Sequence, residues 1–182
     1  MTNDVKSTLD LITDAVKVCT EHYNHSFSRF NTIDAKAQGS ITTAGVLLGA
    51  MLAFVPHPVF TSVLKKHGAL SEIVVWALLA SAFCAVLLGI LALSARPGRT
   101  PYRGDIVAAS VEDLLNLSDR ERNAAIIEAH YLRQLIAWRE AIIELTLTLR
   151  TKARALLLAQ AFLTGAAMMA GGFIVLAIQT FV

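Results

Sequence analysis

The sequence predicts an all-α membrane protein, with three transmembrane helices and with N-terminal and central cytoplasmic amphipathic helices forming a water-side helical bundle. Three observations predict it. Residues 37–64, 73–95 and 155–182 each lack Asp, Glu, Lys and Arg. The stretches before the first and third of these runs place apolar residues at helical spacing. At both junctions, around Arg29 to Gln38 and Arg150 to Arg154, neither proline nor glycine interrupts the pattern. Amphipathic helix should therefore run straight into membrane helix at two seams.

The N-terminal arm, residues 1–36, is the first element. Val5, Leu9, Ile12, Val16, Cys19 and Tyr23 alternate gaps of four and three, which is an a/d seam that needs a helical partner. Phe27 and Phe30 extend it with a four-residue slip, Asn3 or Asp4 can cap its start, and Lys6, Asp10, Asp14, Lys17 and Glu21 fall on the water face. The arm has no apolar core of the kind a cleavable signal peptide carries.

A helix needs about 20 apolar residues to cross the hydrocarbon core. The first span is read as residues 37–55, because Pro56-His57-Pro58 interrupts the run and opens an external loop over 56–70. The second span takes residues 71–95 and the third residues 155–180. Between them, residues 96–154 begin with turn chemistry at Arg96-Pro97-Gly98 and continue to Ser118-Asp119-Arg120-Glu121, which reads as a capping box. A helix from Asp119 to about Ile178 would run about 90 Å. Its aliphatic stripe, including Ile127, Leu135, Ile142, Leu145 and Leu149, is wider than one solvated face requires, and the N-terminal arm is the nearest candidate to cover it.

Composition agrees with this division. Hydrophobic residues make up 55% of the 182, and the mean hydropathy is +0.56, too apolar for a soluble domain of this length. A net charge of +2 gives no bulk attraction to nucleic acid. Cys19 falls on a water-side helix and Cys84 in a span, so neither implies an oxidising compartment. Arg96, Arg99 and Arg103 at one end of the central segment and Arg150, Lys152 and Arg154 at the other mark it as cytoplasmic. The N-terminus then lies on the same side, and Lys65 and Lys66 lie outside against the charge rule.

Small residues at Gly45 and Gly49 form a GxxxG pair, suited either to packing within the chain or to homo-oligomerisation. Gln38, Ser40, Thr42, Thr43, Gln160 and Thr164 are available for interhelical hydrogen bonds near the cytoplasmic boundary. No charge sits at mid-membrane, which disfavours a proton relay or an ion-coupled transporter. His22 and His25, three apart on one helical face, have a spacing compatible with metal ligation, which His130 could join, and polar helix surface accounts for them better. No P-loop, HExxH, CxxC or nucleophile elbow is present, so no catalytic residue and no cofactor is expected. Trp76 fits an aromatic belt and Trp138 the stripe of the long helix.

Asp34-Ala35-Lys36-Ala37-Gln38 resembles the D-x-K-A motif of the Pycsar-type transmembrane effector domain of bacterial antiphage systems. Other features follow that family in order: Phe30-Asn31-Thr32-Ile33-Asp34, two spans, Gly104-Asp105-Ile106, Tyr131-Leu132-Arg133-Gln134-Leu135, and the basic lead into the last span at Leu149 to Ala155. The resemblance implies an effector of the bacterial inner membrane. It would be triggered by a cyclic pyrimidine nucleotide, cyclic UMP or cyclic CMP, made by a partner nucleotide cyclase, and would impair the membrane and arrest the cell. The segment from Arg96 to Ser118 is too short for a separate nucleotide-binding module, so sensing would use the seams and water-side helices or another subunit.

An anionic ligand there would need cationic forks, for which Arg29, Lys36, Arg103, Arg139, Arg150, Lys152 and Arg154 are candidates, with Asp34 and Asp105 orienting them or bonding ribose hydroxyls. Basic residues at span ends are also ordinary topology determinants, which is the competing reading for Arg150, Lys152 and Arg154. An acidic residue beside a span needs a partner, and Asp34 with Lys36 is read as an ion pair or ligand contact. The alternatives to an effector are an oligomeric membrane scaffold recruiting a cytoplasmic partner and a small channel. The channel lacks the expected inverted repeats.

Overall fold

The computed structural model describes residues 2–96 and 124–181, and these form four helices with no strand among them. They are α1 (Thr2–Phe54), α2 (Pro58–His67), α3 (Ala69–Ser94) and α4 (Ala124–Phe181). Helices α1, α3 and α4 are each long and apolar enough to cross a membrane. The expected capping box at Ser118 to Glu121 and the turn region after Pro97 lie outside the described residues.

Both seams are helical throughout, since α1 and α4 are each unbroken. The chain divides into two compact units, Met1–Phe30 with Arg96–Leu149, and Asn31–Ala95 with Arg150–Val182. The first holds most of the charged residues and the second the apolar crossings.

In the charged unit, α1 and α4 pack in parallel through Tyr23, Phe30, Ala141 and Leu145, flanked by Trp138, Ile142 and Leu149. Tyr23 meets Trp138 edge-on at 5.4 Å, and burial pushes the Tyr23 hydroxyl above its ordinary range. The N-terminal arm thus covers the long helix, as its seam requires. Its register differs from the sequence reading at one point. Ser26 is buried while Phe27 is exposed, so the seam runs Tyr23, Ser26, Phe30 with no slip. Phe27 instead stacks along the surface between the rings of Tyr23 and Phe30.

In the membrane unit the buried positions of all three crossings repeat every seven residues. On α1 they are Ala37, Ser40 and Ala44; on α3 Ser71, Val75, Leu78, Ala82, Ala85, Gly89 and Ala92; on α4 Lys152, Leu156, Ala159, Ala166 and Phe173. A sustained seven-residue repeat is the signature of left-handed, knobs-into-holes packing. Most of these residues are small, which lets backbones approach where lipid supplies no hydrophobic drive. The tightest point is Gly89, where an added Cβ would fall 2.5 Å from Ile41 Cγ1 and 3.7 Å from the Ala37 carbonyl oxygen. Ala37, Ala92 and Leu156 form one apolar cluster and Phe60, Val63, Val75 and Phe173 another. These pairings make α1 and α4 parallel in this unit, with α3 antiparallel to both.

The expected external loop contains a ten-residue helix, α2. Pro56 ends α1 because proline cannot continue the hydrogen-bond ladder. The His57 Nδ1 then accepts from the Val59 N–H at 3.3 Å, and Pro58 opens α2 at the position where a missing N–H does no harm. Gly68, at φ +53°, turns the chain into α3 in a conformation a side chain would disfavour.

The hydroxyls read as interhelical donors turn back on their own helices. Ser40 donates to the Lys36 carbonyl, Thr42 to Gln38, Thr43 to Gly39 and Thr164 to Gln160, all at 2.9–3.0 Å. A hydroxyl four residues on already faces a carbonyl of the preceding turn, so it is satisfied without a second helix.

Candidate functional site

The candidate site lies in the membrane unit, where α1 and α4 start their crossings. Lys152 is 1% exposed and is the largest fully buried side chain among the described residues. Its Nζ donates to Asp34 Oδ1 at 2.6 Å, and the Asp34 side chain is 29% exposed. Removing an ammonium from water costs several kcal/mol, which a carboxylate offsets only at close range. The short, charge-assisted bond meets that condition.

Helical geometry puts Lys152 there. Trp138, Leu145, Lys152, Ala159, Ala166 and Phe173 lie seven apart, so Lys152 occupies an interior position of the α4 seam otherwise filled by apolar or small groups. Asp34 adjoins Ile33 at the edge of the α1 seam. One turn further along the two helices, Ala37 and Leu156 close over the membrane side with Ala92. Helical side chains lean toward the N-terminus, so Lys152 reaches toward the charged end of its helix as a lysine at a membrane boundary does. A lone lysine at such a position fixes register at some expense in stability.

Asp34 therefore pairs with Lys152 and not with Lys36. Residues two apart on a helix point to different faces, and Lys36 is exposed. Topology alone does not account for Lys152 either, because a residue that only anchors a span end stays in water, as the exposed Arg150 and Arg154 do. Arg29 and Arg139 are also exposed. Arg103 and Asp105 lie outside the described residues. Among the described candidate ligand residues, the structure joins Asp34 and Lys152.

Gly45 and Gly49 are exposed, and a Cβ added at either would meet nothing within 4 Å. Among the described residues, nothing packs against them. His22 and His25 are exposed, His130 is hydrogen-bonded to Gln134 of its own helix at 2.9 Å, and no cluster of three metal-ligating side chains occurs among the described residues.

Sequence reasoning missed the role of Lys66. Its Nζ donates to the carbonyls of Gln179 at 2.6 Å and Thr180 at 3.2 Å. The last carbonyls of a helix lack intrahelical partners and carry partial negative charge, so a lysine there is stabilising. The seven-residue spacing around Lys152 could have identified that residue from sequence, whereas nothing in the α2 sequence points to α4.

No curated protein and no solved structure matches the chain. A family model described as the Pycsar effector protein domain matches residues 20–180, from the middle of the N-terminal arm to the end of α4. That family is not a known enzymatic one. With nearly its whole length matched and three helices able to cross a membrane, the chain belongs to the Pycsar effector family of transmembrane proteins, linked to cyclic-nucleotide signalling in antiphage defence.

Proposed function

We propose that the protein is a cyclic-nucleotide-triggered effector that impairs the bacterial inner membrane, with the Asp34–Lys152 pair setting the register of α1 against α4 in its resting state. The observation that carries this reading is a lysine and a carboxylate paired in the interior where two unbroken helices start their crossings. A signal received on the water-side helices, and made by a partner cyclase as cyclic UMP or cyclic CMP, would travel along α1 and α4 and disturb their packing in lipid. The exposed Arg29, Lys36, Arg139 and Arg150 are accessible cations for an anionic ligand, and Arg103 and Asp105 remain candidates by sequence. The N-terminus is taken as cytoplasmic from the basic residues at both seams.

Cells expressing the protein are expected to lose membrane potential when the cyclase is active or either cyclic nucleotide is supplied. Asp34→Ala and Lys152→Met, at equal protein levels in the membrane, should stay polarised. Normal triggered depolarisation in both variants would remove the pair from the switch. An unchanged potential in wild-type cells under every stimulus would favour the scaffold reading.

The exposed face carrying Gly45 and Gly49 suits contact with a second copy, because glycine in a span permits close helix approach and none of the described helices packs on it. Replacing both by leucine is expected to reduce the oligomer mass measured by sedimentation in mild detergent. An identical mass before and after would leave those glycines facing lipid.

A further inference from the structure

A groove of about 750 Å³ lies between α1 and α4 in the part of the membrane unit away from the Asp34–Lys152 pair. Every residue lining it is apolar, with Leu47, Met51 and Phe54 on one wall and Phe173, Ala177 and Ile178 on the other. Its volume falls within the roughly 300–1,000 Å³ of ordinary ligand sites. Lys66 bonds the carbonyls of Gln179 and Thr180, within one turn of Ala177 and Ile178. His67 Nε2 lies 3.3 Å from Thr180 Oγ1, and Lys65 beside it is exposed. The apolar groove thus ends at a short basic cluster, with no acidic residue on α2.

We propose that this groove holds one acyl chain of an anionic phospholipid whose phosphate is received by Lys65 and Lys66. An ammonium has three N–H donors, and Lys66 directs two of them to α4 carbonyls, leaving one for a phosphate oxygen. The adjoining Lys65 adds a second positive charge. The combination selects a lipid with net negative charge over a zwitterionic one, because the groove takes either chain while only the anion gains from two lysines on a helix that carries no acidic residue. A bound lipid of this kind would brace α1, α2 and α4 together.

The test uses the purified full chain in mild detergent, with phosphatidylglycerol and phosphatidylcholine of identical chains as probes, and native mass spectrometry to read retained lipid. Wild type should retain phosphatidylglycerol over phosphatidylcholine by about fivefold for each lysine engaged. Lys65→Gln with Lys66→Gln should abolish the preference, and Lys66→Arg should keep it. Since Lys66 also caps α4, Ala177→Phe provides a second arm that leaves both lysines intact, and it should lower retention of phosphatidylglycerol severalfold. Equal retention of the two lipids by wild type would overturn the proposal. So would a preference unchanged by the double lysine variant, or an Ala177→Phe variant that keeps its lipid and loses a dimer, which would assign the groove to a second copy.

Discussion

Asp34→Ala is expected to destabilise the protein by about 3–5 kcal/mol, the usual effect of removing one member of a buried pair and leaving the other charge inside. The asymmetry of the pair makes the prediction specific. Lys152 is 1% exposed and loses the carboxylate 2.6 Å from its ammonium, so a charge held in an interior closed to water loses its short charge-assisted bond. Lys152→Met removes the buried charge itself and keeps an unbranched side chain of similar reach, while Asp34, 29% exposed, can turn to water. Its effect on stability should be small. Asp34→Leu with Lys152→Met should be as stable as wild type or more so, because a packed apolar pair avoids desolvating two ions. Reversible unfolding in mixed micelles measures all three variants. Asp34→Ala at wild-type stability would show that the pair is not closed off from water in the folded protein.

Gly89→Ala is expected to cost about 1–3 kcal/mol, the range for forcing a methyl group into a packed interior. The new Cβ would sit 2.5 Å from Ile41 Cγ1 and 3.1 Å from Cδ1. The nearer atom is close to the Ile41 backbone and cannot swing away as a chain tip would, so α1 and α3 must separate or Ile41 must leave its rotamer. Shortening the neighbour should relieve the clash. Gly89→Ala with Ile41→Ala should show a favourable coupling of about 1–2 kcal/mol relative to the sum of the single changes. Strict additivity would mean that the crossing is looser than the geometry requires. Gly171→Ala, at an exposed position where a Cβ meets nothing within 4 Å, is the matched control and should not lower stability.

Much of the architecture was legible in the chain. The three crossings follow from charge-free runs, because bilayer insertion responds to each ionised group and to length. Continuity of α1 and α4 follows from the absence of Pro and Gly at both seams, since helix persists where nothing ends it. The pairing of the N-terminal arm with the central helix follows from two apolar stripes too regular for water. The slip proposed at Phe27 is instructive in the other direction. Apolar spacing favours Phe27, yet Ser26 holds the interior position, because a seam selects for size and register as much as for hydrophobicity. The helix α2 was hidden for a related reason: Pro56 and Pro58 read together as loop punctuation, although Pro58 is a helix starter once His57 supplies the cap.

The candidate site was legible only in part. Asp34 is conspicuous in sequence as an acid beside a span that needs a partner. Its partner was sought in Lys36, two residues away, and found in Lys152, 118 residues away. The same limit applies to Lys66, whose use as a cap for α4 depends on where α4 ends in space.

The sequence by itself determined what each segment is: which stretches cross the membrane, where helices run on, where proline stops them, and which family the motifs resemble. These are properties of periodicity, charge and local backbone chemistry, and they act within a few turns of helix. Only the tertiary structure decided what each side chain meets. It set α1 parallel to α4, buried Lys152 against Asp34, brought Gly89 onto Ile41, and left Gly45 and Gly49 facing outward. Helical spacing fixes which residues share a face, but which face meets which is settled by the packing of helices far apart in sequence.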